Sequence, residues 1–98
     1  MAGAIVQANA TVERNCLINT GAIIDHDTII GEHTHVASGA TICGGVTIGP
    51  GCHIGAGATV VQGVAIGQGV VIGAGATVLN DIPEQQVVVG TPARPITP

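Results

Sequence analysis

Val46-Thr47-Ile48-Gly49-Pro50-Gly51-Cys52-His53-Ile54-Gly55-Ala56-Gly57-Ala58-Thr59-Val60 carries the rule that decides the fold. Ile48, Ile54 and Val60 stand six apart, and so do Val46, Cys52 and Ala58, two places earlier in each hexad. Followed outward in both directions, the first register is Val or Ile at every sixth position from Val6 to Val78, thirteen hits without a slip. The second runs from Ala4 to Ala76 through residues such as Cys16, Thr28, Thr34 and Val70, and holds only small or β-branched side chains.

A six-residue period is not helical, because helix faces recur at 3.6 residues. In a strand, residues two apart share a face, so each hexad supplies one small and one aliphatic inward residue. The other positions must turn a corner. Gly31, Gly49, Gly55, Gly67 and Gly73 directly follow an aliphatic position, and further glycines such as Gly21, Gly39, Gly45 and Gly63 recur elsewhere in the hexad. Glycine tolerates the positive φ that tight turns demand. Short strand, turn and short strand at fixed spacing predict an all-β hexapeptide solenoid. The ladder places it over residues 1–82, with a tail at 83–98 packing on the solenoid or on a neighbouring subunit.

A chain of 98 residues is one domain. It has no Phe, Tyr or Trp, as expected of a narrow prism with room for Val, Ile and Ala but little for rings. The formal net charge is −4 and the only basic residues are Arg14 and Arg94, which argues against nucleic acid. No apolar run approaches membrane-spanning length and no signal peptide is visible, so neither a membrane nor secretion is expected. The three cysteines read as free thiols in a reducing, cytoplasmic setting, acting as small core residues.

The ladder resembles the left-handed parallel β-helix of hexapeptide acyltransferases. That resemblance implies the left hand, which the usual crossover rule does not favour, and three hexads, or 18 residues, per triangular coil. Thirteen hexads then make about four and a third coils, with no insertion among them. At 18 residues per coil, sequence converts into neighbours about 4.8 Å apart. Arg14 stacks on Glu32, an exposed ion pair of little worth. His35 stacks on His53, with Leu17 and Val71 on either side. Cys16 and Cys52 fall two coils apart, roughly 9–10 Å, too far for a disulfide. Ala8, His26, Gly44 and Gln62 form one column, and Asn9, Asp27, Gly45 and Gly63 the next. His26-Asp27 therefore stands over Gly44-Gly45, where bare backbone is expected to leave room for a ligand and to offer amide N–H groups. An outward His beside a carboxylate is a candidate general base.

The run Ile24-Asp25-His26-Asp27-Thr28-Ile29-Ile30-Gly31-Glu32-His33-Thr34-His35-Val36 resembles the acetyltransferases of sialic acid and UDP-4-amino-sugars. The resemblance implies an acetyl-CoA-dependent enzyme acting on an amine or hydroxyl of a sugar or nucleotide-sugar. His26 takes the role of base and Asp27 orients it. His35 lies at the acetyl-CoA site, Gly44 lines the thioester, and pantetheine runs near Ala56 and Ala74. The tail Val89-Gly90-Thr91-Pro92-Ala93-Arg94 resembles the family's closing motif, which sets Arg94 at a CoA phosphate. His26 and His35 are half a coil apart and face different sides of the prism, so a site needs two subunits; family members are trimers.

Those relatives also carry an N-terminal α/β domain that binds the sugar, and no such pattern precedes the ladder here. The alternative reading is therefore a non-enzymatic trimeric scaffold, an excised or engineered domain. A zinc carbonic anhydrase on the same fold needs three ligand histidines at a spacing that His26, His33, His35 and His53 do not supply, so no metal is expected.

Overall fold

The computed structural model describes residues 3–96, so the outermost residues of the expected ranges 1–82 and 83–98 lie outside the described residues. The chain forms a left-handed parallel β-helix with three sides. Sheet one stacks β1 (Ile5–Val6), β4 (Ile23–Ile24), β7 (Thr41–Ile42), β10 (Thr59–Val60) and β13 (Thr77–Val78). Sheet two stacks β2 (Thr11–Val12), β5 (Ile29–Ile30), β8 (Thr47–Ile48) and β11 (Ala65–Ile66). Sheet three stacks β3 (Leu17–Ile18), β6 (His35–Val36), β9 (His53–Ile54) and β12 (Val71–Ile72), then β14 (Val87–Val89) and β15 (Arg94–Pro95). Every pairing among the first thirteen strands is parallel and joins residues 18 apart, as Val6 to Ile24 and His35 to His53.

Strands only two residues long would not persist alone. They persist here because each pairs with the coil above, the coil below or both, and because the aliphatic register fills the prism axis. Ile24, Ile30, Val36, Ile42, Ile54, Val60 and Ile72 are fully buried. The rule does not bury its own beginning: Val6 is 42% exposed and Val12 half-buried, since the first described coil has no neighbour above it.

The small register holds its polar members by one repeated bond. Thr28 Oγ1 donates to the Cys43 carbonyl at 2.9 Å and Thr34 Oγ1 to the Gly49 carbonyl at 3.1 Å, each 15 residues on. The thiols of Cys16 and Cys52 do the same to Gly31 and Gly67, both at 3.1 Å. Thr and Cys therefore substitute for Ala without leaving a buried group unpaired. Burial pushes the Cys52 thiol pKa up, and its backbone hydrogen bonds only partly oppose this.

The glycines divide into two kinds, where the sequence suggested one. Gly21, Gly39, Gly45, Gly51, Gly57, Gly63, Gly69 and Gly75 have positive φ, and Asn9, Asn15, Asp27 and His33 occupy the same hexad position in the same left-handed conformation. Gly31, Gly49, Gly55, Gly67 and Gly73 do not share it. They are needed for closeness instead: a Cβ on Gly55 would lie 2.6 Å from the Ala74 nitrogen and the Ile72 carbonyl oxygen of the next coil.

After Val78 the period breaks. Ile66 bridges Ile82 and Ile72 pairs with Val88, both 16 residues apart instead of 18. Ile82 and Val88 are buried and continue the core column. The chain then reverses near Gly90 (φ 91°), and β15 runs antiparallel to β14, with Arg94 opposite Val89.

Candidate active site

His26 sits at the corner between sheets one and two. The stacking is as the 18-residue spacing predicts: the Asp27 N–H donates to the Ala8 carbonyl, Gly45 N–H to the His26 carbonyl at 3.0 Å, and Gly63 N–H to the Gly44 carbonyl. The His26 side chain is 59% exposed and points outward. Its Nδ1 lies 3.2 Å from Asp27 Oδ2. A carboxylate can only accept, so that bond places the imidazole proton on Nδ1 and leaves a lone pair on Nε2. Asp27 has φ 58°, a conformation that Asp and Asn tolerate better than other non-glycine residues.

The space beside Gly44 is not free. A Cβ there would lie 2.8 Å from His26 Cε1 and 3.0 Å from Nε2, so the imidazole itself fills the place that bare backbone was expected to leave for a ligand. The expected open backbone is found one residue on: around Gly45 and Gly63 nothing would approach a Cβ within 4 Å. The two glycine amides also differ. Gly45 N–H is committed to His26, whereas Gly44 N–H donates to no acceptor among the described residues.

Asp25 was not among the residues singled out from the sequence. Its Oδ1 accepts the His26 backbone N–H at 2.7 Å and lies 4.0 Å from His26 Nε2. The base therefore stands between two carboxylates, one on each ring nitrogen's side. The signal available was the triplet Asp25-His26-Asp27 itself, an acid on both sides of an outward His.

The other expected residues lie elsewhere. His35 is on the outer face of sheet three, the side opposite the His26 corner. Its ring meets that of His53 edge-on, with centroids 4.7 Å apart and planes at 84°. Asn19 Nδ2 lies 2.8 Å from His35 Nε2, a partner that column reading missed because it is diagonal, two residues beyond Leu17 on the neighbouring coil. Leu17 and Val71 flank the two histidines and are 53% and 38% exposed, so this face is more apolar than charged. Ala56 and Ala74 are exposed at the next corner, between sheets three and one, one over the other. Arg94 is exposed on the edge strand of sheet three and makes no ion pair among the described residues. Four strand spacings separate its strand from that of His35, roughly 19 Å.

The structure thus brings together His26, Asp27 and Gly44, and separates them from His35, Ala56, Ala74 and Arg94. Two shallow clefts of about 360 and 340 Å³ lie at the C-terminal end; the second includes Arg94, and neither includes His26. Arg14 Nε meets Glu32 Oε2 at 2.7 Å, as the stacking predicts, with 78% of the arginine side chain exposed.

The bacterial transferase hexapeptide family (six repeats) matches three overlapping stretches, residues 9–44, 27–62 and 45–80. No curated protein sequence matches. Among solved structures, the acetyltransferase domain of PglB from Neisseria gonorrhoeae, in complex with acetyl coenzyme A, is similar at 40% identity and a TM-score of 0.97. The match covers 98% of this chain and 47% of that one. PerB from Caulobacter crescentus, in complex with CoA and GDP-perosamine, is similar at 36% identity and a TM-score of 0.98, over 99% of this chain and 47% of that one. WeeI from Acinetobacter baumannii is similar at 30% identity and a TM-score of 0.76, over 96% and 50%. The chain spans about half the length of these proteins.

Proposed function

The chain belongs to the bacterial hexapeptide-repeat transferase family, and from that premise we propose that it transfers the acetyl group of acetyl-CoA to an amine or hydroxyl of a sugar or nucleotide-sugar. The observation that carries the reading is the His26–Asp27 bond: a carboxylate 3.2 Å from Nδ1 keeps the proton on that nitrogen and leaves the lone pair on Nε2 of a side chain that is 59% exposed. His26 Nε2 takes the proton from the acceptor as its nitrogen or oxygen attacks the thioester carbonyl. Asp27 holds the tautomer and stabilises the imidazolium that forms. The uncommitted N–H of Gly44 donates to the developing oxyanion. His26 then returns the proton to the leaving thiolate.

On the donor side, His35, Ala56 and Ala74 form the binding surface for acetyl-CoA and its pantetheine arm, and Arg94 meets a phosphate. A guanidinium on the same sheet face as His35, with no ion pair among the described residues, suits that role. Because this surface lies across the prism from His26, one subunit holds two half-sites. A closed homotrimer would set the corner of each subunit against sheet three of the next, completing three equivalent sites between subunits. The three free thiols favour a reducing cytoplasm.

Calorimetry with acetyl-CoA, followed by thiol release in the presence of a UDP-4-amino-sugar, tests the reading. Binding with turnover supports the transferase. Absence of binding leaves a trimeric scaffold without catalysis.

A further inference from the structure

Asp25 presents a feature that acid–base transfer by His26 alone does not use. Its carboxylate is fixed, because Oδ1 accepts the His26 backbone N–H at 2.7 Å. That same oxygen lies 4.0 Å from His26 Nε2, the atom carrying the lone pair. Both are acceptors with no donor between them. They are too far apart to bond each other and close enough to share one donor atom. A nitrogen at a usual hydrogen-bond length from each would see the two acceptors, 4.0 Å apart, at roughly 85–90°. The two N–H bonds of a primary amine fit that demand with slight bending. A hydroxyl has one proton, and in bonding to Nε2 it would turn a lone pair toward the Asp25 carboxylate.

We infer that Asp25 is a specificity-determining residue that accepts the second proton of an amine nucleophile and so selects amines over hydroxyls. The inference rests on the proposed acetyl transfer and deepens it. With both N–H bonds committed, the amine's lone pair has one free direction, away from the two acceptors and toward the thioester. As the N–C bond forms, the carbonyl π pair moves to oxygen and the proton facing Nε2 passes to His26. The proton facing Asp25 stays on nitrogen throughout. When the tetrahedral intermediate collapses, the C–S bond breaks and His26 protonates the thiolate. The products are an N-acetyl amide, which keeps its one N–H on Asp25, and CoA thiol. Asp25 is therefore an acceptor and not a second base.

The test compares the full chain with its Asp25→Asn variant. The amide oxygen of Asn still caps the His26 N–H, so the turn is kept while the charge is lost. A UDP-sugar bearing an amine at C4 and its 4-hydroxy counterpart serve as acceptors, and CoA release is followed. The expected result is a fall of about five- to tenfold in the amine-to-hydroxyl ratio of kcat/KM, the difference between a hydrogen bond to a charged acceptor and one to a neutral amide oxygen, with KM for acetyl-CoA unchanged. An equal fall for both acceptors means that Asp25 only shapes the turn, and overturns the inference. If the wild-type chain acetylates neither sugar, the transferase reading fails, and the inference is judged by binding of the two UDP-sugars. A wild-type preference for the amine that is lost in Asp25→Asn supports it; equal affinities, or none, overturn it.

Discussion

The His26 corner and the outer face of sheet three are built from the same hexads, yet they present opposite chemistry. The corner has three ionisable side chains in a row, Asp25-His26-Asp27, above a buried glycine and beside open backbone. The sheet face has two edge-packed imidazoles between Leu17 and Val71, with Arg94 farther along it on the edge strand. A corner residue projects from a turn and can approach another molecule, while a sheet residue stands in a column whose neighbours are fixed at strand spacing. The comparison suggests a division of labour: proton transfer at the corner, and the length of a donor molecule laid along the face.

The largest effect should come from the corner. His26→Ala is expected to lower kcat by about 10²–10⁴-fold, the usual worth of a positioned base, with acetyl-CoA affinity retained by calorimetry. Full turnover in that variant would break the division. A sharper form mixes two defective chains. His26→Ala and His35→Ala proteins, unfolded together and refolded, should regain some sites with the wild-type KM for acetyl-CoA, which neither variant has alone, because some interfaces pair an intact corner with an intact face. No recovery in a verified mixed oligomer would place both half-sites in one subunit.

Gly44→Ala comes next. The new methyl would lie 2.8 Å from His26 Cε1, and the ring, a side-chain end, would swing away. Thermal unfolding should be little changed while kcat falls roughly ten- to a hundredfold from misplacement of the base. On the face, His35→Ala is expected to raise KM for acetyl-CoA several-fold with kcat nearly constant, the pattern of lost uniform binding. Smallest of all is Arg14→Ala. The exposed pair with Glu32 belongs to neither half-site, and its loss should change the unfolding free energy by under about 0.5 kcal/mol in denaturant titration.

The hexad ladder and an 18-residue coil were enough to place His26 over Gly44, His35 on His53 and Arg14 on Glu32, because register in a solenoid is a matter of counting. What counting does not give is the direction of a side chain. The rotation of the His26 ring into the space beside Gly44, and the turn of Asp25 back to the His26 N–H, depend on torsions that spacing leaves open. Asn19 reaches His35 diagonally from the neighbouring coil, along a contact outside any column. The two kinds of glycine look alike in the sequence because one is required by backbone torsion and the other by a neighbouring coil. The exposure of Val6 follows from its place in the stack and not from its place in the hexad.

The shortened last coil, with Ile82 and Val88 reached in 16 residues instead of 18, has a consequence for how the chain finds its fold. A ladder of near-identical hexads is almost translationally degenerate: a chain slipped by one coil keeps most of its pairings and loses little but its ends. Repeat arrays can begin to fold at any point, and competing registers of similar energy roughen the landscape. A coil of different length, closed by the antiparallel β15, occurs once among the described residues and fits one frame only. It serves as the index mark that tells the thirteen interchangeable steps which of them is last.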